Sequence, residues 1–292
     1  MRLISIKKTI IFNDPFSKEI DLKINKVAIV SKFGSKKSEQ AAEGIVEKLL
    51  KQKFKVYTVS PISVKGAKKV NSLEDLRKIK LDLAITLGGD GTTLRTFRNL
   101  ENETPLLAIN VGGNRGILSE INLDEIDNAI QRIKKNEVWL DRRTRVVASC
   151  NGEQFQPALN EIYVNRKNLT KTAEFVIKFH NDTVKQRIDG VMISTPSGST
   201  GHSLSIGGPV LHESLDVLTI TPVAPVHRLP PIVVPDEKVE ITCSHDCNIA
   251  IDAQVIKSAG FGDLIIIKKY KKPAVFVRLK KKGLRQMTKL GF

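Results

Sequence analysis

Aromatic residues are scarce in this chain, with one Trp, three Tyr and eleven Phe among 292 residues. Nucleic-acid grooves need stacking platforms or a recognisable basic motif, and neither is present, so no specific nucleic-acid partner is expected. Cysteine is scarcer still. Cys150, Cys243 and Cys247 cannot build a disulfide framework, which fits a reducing compartment. No apolar run approaches the ~20 residues that a membrane-spanning helix requires, and the first residues show no apolar stretch or cleavage site of a secretory leader. The expectation is a soluble, cytoplasmic protein with no membrane partner. Acidic residues are outnumbered, 31 Asp and Glu against 47 Lys and Arg, and the resulting charge of +16 gathers anions. Most of the excess is Lys spread along the chain, but ten basic residues fall between Lys268 and Lys289. That stretch reads either as a solvated Lys-rich face or as a polyanion contact.

What is present is a core of ordinary size, with 41% hydrophobic residues, arranged in two different patterns. In the first, apolar β-rich runs (Lys26–Val30, Phe54–Val59, Leu83–Leu87, Leu106–Asn110) alternate with helix-period segments. Ala41, Ile45, Leu49 and Ala42, Val46, Leu50 form two ridges on one helix face, Thr92–Leu100 reads as a second helix, and Ile126, Ile130 and Ile133 mark a third. Alternation of this kind implies a doubly wound, Rossmann-like α/β sheet over residues 1–138. Over residues 139–272 short β-like runs separated by Pro and Gly replace it, and this half reads as all-β. The segment 273–292 either finishes the β half or returns to the first sheet.

Two motifs carry chemistry. Gly88-Gly89-Asp90-Gly91-Thr92-Thr93 lies between a strand and a helix, where free amides favour phosphate. Asp90 is out of place in a pure phosphate cradle. It reads as a base for an attacking hydroxyl, as an Mg²⁺ contact, or as a plain helix cap. Ser194–Gly208 holds seven hydroxyl side chains and four glycines, suited to a polar, phosphate-bearing ligand or to a solvent loop. It lacks a Gly-x-Ser-x-Gly elbow, and the chain has neither a P-loop nor a Gly-x-Gly-x2-Gly fingerprint. Asn160-Glu161 starts a strand and offers an amide beside a carboxylate. Cys243-x-His245-x-Cys247 lacks the partner pair of a zinc site and reads as core thiols, so no protein metal site is expected.

Taken together, these motifs resemble the NAD kinase family from about Val27 to Val275. The shared order is GGDGT at Gly88–Thr92, Asn110 with Gly112 and Gly116, Asn160-Glu161, Asp189-Gly190, STPSGSTGHSLSIGGP at Ser194–Pro209, and Asp252-Ala253-Gln254. The resemblance implies a kinase that phosphorylates the 2′-hydroxyl of the adenosine ribose of NAD to give NADP. ATP or polyphosphate would be the donor, Mg²⁺ would accompany it, and the protein would be a homodimer or homotetramer. It implies Asp90 as catalytic base, and an NAD site of Asp90, Gly91, Asn160, Glu161, Lys171, Arg187, Asp189, Thr200, Gly201, His202, Ser203, Leu204, Ser205, Ala224 and Gln254. Gly88, Gly89, Gly91, Thr92, Gly112 and Gly113 would hold the donor phosphates. Three features depart from the family: His202 stands where many members have Tyr, the Gly112–Gly116 loop is longer with Ile117 in place of Phe, and Pro225–Leu229 replaces a Pro-His-x-Leu run. GGDGT alone also fits a diacylglycerol-type lipid kinase, and charge with glycines alone fits a non-enzymatic nucleotide or polyanion binder.

Overall fold

The computed structural model describes residues 16–17, 23–100, 102–112, 116–235, 238–280, 285 and 291. In Lys26–Ser31 the residues after Lys26 are buried whichever way they point, as expected of a strand inside a parallel sheet. Val27 and Ile29 pack on one face of that sheet, Ala28 and Val30 on the other, because side chains alternate along a strand. Helix α1 (Lys36–Lys51) starts where the Ser35 hydroxyl accepts the Ser38 amide, and buries Ala42, Ile45, Val46 and Leu49 on the first face. Helix α3 (Ile126–Lys134) covers the same face with Ile126, Ala129, Ile130 and Ile133. Helix α2 (Asp90–Asn99) covers the opposite face with Leu94 and Phe97. Helices on both faces make the fold doubly wound.

The sheet runs Phe16–Ser17, Trp139–Arg143, Ala274–Arg278, Leu106–Asn110, Leu83–Leu87, Lys26–Ser31, Lys55–Val59 and Lys68–Val70, with Ile121–Asn122 beside Leu106–Asn110. The pairs from Leu106–Asn110 through Lys68–Val70 are parallel, whereas Ala274–Arg278 and Trp139–Arg143 pair antiparallel. Trp139–Arg143 thus lies in the first sheet and not in the β-rich half that the sequence opens at residue 139. Its run Trp-Leu-Asp-Arg-Arg hides a core strand, because Asp141 and Arg143 are buried as an ion pair. Ala274–Arg278 is buried throughout and lies between two strands of the same sheet.

Residues 146–269 form two six-stranded antiparallel sheets packed on a shared core that includes Val164, Phe175, Ile193, Ile241, Ile249 and Ile267. Cys243 and Cys247 belong to this core. Five strands here are not read from the sequence: Glu153–Gln154, Asp182–Arg187, Gly190–Ser194, Ile232–Pro235 and Val255–Ala259. Asp182–Arg187 and Val255–Ala259 are mostly exposed edge strands with few apolar residues to betray them, and Gly190–Ser194 merges into the hydroxyl-rich run.

Candidate active site

The GGDGT motif follows the carboxyl end of Leu83–Leu87 and opens α2. Gly88 has φ +156°, and a Cβ there would come within 2.6 Å of Thr92 Oγ1, so only glycine fits. Gly89 is the N-cap and no side chain caps the helix. The Asp90 carboxylate instead reaches across to the segment after the neighbouring strand, where Oδ2 accepts the Ile117 amide at 3.2 Å and Oδ1 the Leu118 amide at 3.0 Å. Beside the motif lies a cleft of about 780 Å³ lined by Gly89, Gly91 and Thr92, by Lys32, Arg95 and Arg98, and by Gln254 from the β half. Gly88 and Gly112 are not part of that lining; Gly112 follows the end of the neighbouring strand, near Lys37 Nζ. Gly113 lies outside the described residues.

The β half meets α2 through the turn between Cys247–Ile251 and Val255–Ala259. Asp252 and Ala253 have φ +48° and +52° and are the central residues of a β-turn closed by the Gln254 amide, which donates to the Ile251 carbonyl at 3.0 Å. The turn aims Gln254 at α2, where its Nε2 donates to the Gly91 carbonyl at 3.0 Å and its Oε1 accepts from Arg98. Asp252 is fully enclosed and accepts from Arg98 Nη1 at 3.3 Å and from the amides of Asn160 at 2.8 Å and Leu159 at 3.2 Å. Burial nonetheless lifts the Asp252 carboxyl to about 6. The neighbouring Glu161 carboxyl rises to about 8, first through burial and then through the Asp252 charge. Asn160 Oδ1, Glu161 Oε2 and Ser194 Oγ are buried and have no hydrogen-bond partner among the described residues. Unsatisfied buried polar atoms are rare, and three in one place mark where a polar ligand would complete the bonding. The hydroxyl-rich run is no solvent loop: residues 190–200 are buried, and the Gly198 backbone packs so closely that a Cβ would lie 2.2 Å from the Asn160 carbonyl oxygen.

The remaining expected residues form a second, more open group. Tyr163 follows Glu161 by two residues and shares its face of the strand, away from the sandwich core. His202 is exposed and meets the Tyr163 ring edge-on at 5.8 Å between centroids. Ser203 is buried beside Thr221, Thr200 and Gly201 lie next to the Asn160 end of the site, Leu204 is half-buried and Ser205 is exposed. Asp189 is ion-paired with Arg166 at 2.8 Å, and Ala224 is exposed with φ +48° just beyond the strand that pairs with it. Lys171 and Arg187 are exposed. Sequence reading missed Arg95, Arg98 and Tyr163 and gave Asp252 no role. The helical spacing Gly91, Arg95, Arg98 was a usable signal, since it places both guanidinium groups on the motif's own face.

Comparison with known proteins agrees with this geometry. The model of the ATP-NAD kinase N-terminal domain matches residues 26–138, and that of the ATP-NAD kinase C-terminal domain matches residues 159–279. The NAD kinase of Thermoplasma acidophilum is 31% identical over 259 residues, covering 86% of this chain and 92% of that protein. The NAD kinase of Methanothermobacter thermautotrophicus is 29% identical over 273 residues, covering 90% and 94%. Among solved structures, an Archaeoglobus fulgidus NAD kinase in complex with ATP superposes with a TM-score of 0.73 at 28% identity, over 91% of this chain and 97% of that one. Yeast NADH kinase complexed with NADH shares the fold, with a TM-score of 0.84 at 20% identity over 92% and 88%. With both halves matched in order and a relative alike over nearly its whole length, this chain belongs to the NAD kinase family.

Proposed function

We propose that the protein transfers a phosphoryl group from ATP or inorganic polyphosphate to the 2′-hydroxyl of the adenosine ribose of NAD, giving NADP. The observation that carries this reading is the position of Asp90. It stands at the start of α2, whose next residue, Gly91, is bonded to Gln254 and through Arg98 and Asp252 to the Asn160-Glu161 pair. The glycine cleft with Lys32 and Arg95 suits donor phosphates, and the unsatisfied Asn160 and Glu161 oxygens suit ribose hydroxyls. The Tyr163–His202 face, with Asp189 and Ala224 nearby, is the surface offered to the rest of NAD. Lys171 and Arg187 would act from the rim.

Asp90 Oδ2 accepts the Ile117 amide and Oδ1 the Leu118 amide, which hold the carboxylate in a fixed orientation toward an incoming hydroxyl. In the reaction the bond from the ribose 2′-oxygen to the terminal phosphorus forms as the bond from that phosphorus to its bridging oxygen breaks. The hydroxyl proton passes to Asp90, and ADP or the shortened polyphosphate leaves. Positioning and the cationic cleft supply most of the rate. Among the described residues no group of three or more His, Cys, Asp or Glu could hold a metal. A divalent cation would enter here with the donor phosphates, with Asp90 as the carboxylate of that loop. Bound there, Mg²⁺ would supply neutralising charge to the phosphates of the donor. The protein is read as a cytoplasmic homodimer or homotetramer.

The test is to incubate the protein with NAD, ATP and Mg²⁺ and measure NADP with an NADP-specific dehydrogenase, with diacylglycerol as a competing acceptor in a parallel tube. NADP formation is expected. Phosphorylation of the lipid alone, or of neither acceptor, would overturn the reading.

A further inference from the structure

We infer that Arg278, from the last strand of the sheet, is a positioning residue that sets the orientation of Asp90 through the backbone of Leu118. The inference rests on Asp90 acting as the base. The two amides that hold the Asp90 carboxylate belong to Ile117 and Leu118, in a segment with little regular structure of its own. What fixes that segment comes from the far end of the chain. Arg278 Nη1 donates to the Leu118 carbonyl at 3.2 Å, on the residue whose own amide donates to Asp90. Two residues on, Glu120 accepts the Leu279 amide at 2.8 Å and pairs with Arg278 and Arg285.

Arg278 is itself held rigidly. Its Nε donates to Asp141 Oδ2 at 2.9 Å, and its guanidinium lies over the Phe276 ring at 4.2 Å from the centroid. Asp141 takes a second cation, Arg143, which pairs onward with Glu213 at 2.9 Å. Arg278 and Asp141 are 2% and 0% exposed. Stability alone is a weak reason for such an array, because well-packed apolar residues often do as well in its place. A planar fork gives a better one. One edge of the guanidinium grips Asp141 while the other reaches a backbone carbonyl, and an ammonium cannot span both in fixed geometry.

The test is a double-mutant cycle. Arg278→Lys should lower kcat by about tenfold or more, since small misplacements of a reacting group are costly, with KM for NAD changed by less than about twofold. In the Asp90→Asn background the same change should have no further effect on kcat, because the group it positions has lost its function. Ile241→Ala, in the sandwich core, is the comparator for general destabilisation and should leave kcat unchanged. Hydrogen exchange at the Ile117 and Leu118 amides should accelerate in Arg278→Lys and not in Ile241→Ala. Asp141→Asn, which loosens the guanidinium from its other side, is the second variant and should behave as Arg278→Lys does. An equal loss of kcat in both backgrounds, or unchanged exchange at the two amides, would overturn the inference. Full turnover by Asp90→Asn alone would instead overturn the base assignment, and the exchange measurement would still decide whether Arg278 holds the segment.

Discussion

Burial takes the Glu161 carboxyl up to about 8, and the adjacent Asp252 carboxyl pushes it the same way. An ordinary glutamate carboxyl titrates near 4.5. Between those two pH values the folded protein keeps a proton that the unfolded chain has released. Stability then falls as pH rises through that window, because the unfolded state binds fewer protons. Replacing Glu161 by Gln removes the titrating group while keeping its shape. The variant should match wild type near pH 4.5 and become progressively more stable than it toward pH 8, by a few kcal/mol on the order set by the shift. Thermal melts of both proteins across this range provide the check, and parallel curves would contradict it. A carboxyl that lowers stability at neutral pH, with one oxygen unsatisfied, is better explained by a ligand than by the fold.

At the scale of elements, α2 joins the two halves. Arg98 leaves its outer face to meet Asp252 and Gln254, and Arg145, from the β half, donates to the Phe97 and Leu100 carbonyls at the helix C-terminus. A cation at that end satisfies orphan carbonyls and suits the helix dipole. Arg98→Leu would strand Asp252 as a buried, unpaired acid, a loss of about 3–5 kcal/mol. Adding Asp252→Asn should recover part of that loss. Denaturant unfolding of the single and double variants measures both, and additive losses would show that the pair is not coupled. Much of this element was legible. The strand, the glycines and the start of the helix follow from the order of residues around Gly88, and Leu83–Leu87 and Leu106–Asn110 are found where the apolar runs put them. The partners of α2 were not legible. Asp252 is distant in sequence, and nothing local to it reveals that a strained turn buries its carboxylate under Arg98. Trp139–Arg143 misleads in part for the same reason, since its buried Asp141 and Arg143 pair with each other and also with Arg278 and Glu213, which are remote in the chain.

For the whole molecule, the +16 charge is a statement about substrates as much as solubility. If the field gathers anionic donors, kcat/KM should decline as salt rises past ~0.15 M, where screening shortens to about 8 Å. Polyphosphate should respond more steeply than ATP because it carries more charge along its length. A flat response with both donors would leave the lysines as solubilising surface. In the proposed reaction both halves of the molecule take part. The glycine loop comes from the α/β sheet, the Asn160-Glu161 pair from the sandwich, and the final strand returns to brace the segment that holds Asp90. The most direct test of the account is therefore the turnover of Asp90→Asn against wild type with NAD, ATP and Mg²⁺. The amide keeps size and part of the hydrogen bonding but cannot take the hydroxyl proton. The account predicts that kcat for NADP formation falls about 10²-fold or more while NAD affinity changes little. Near-wild-type turnover by the variant would contradict it.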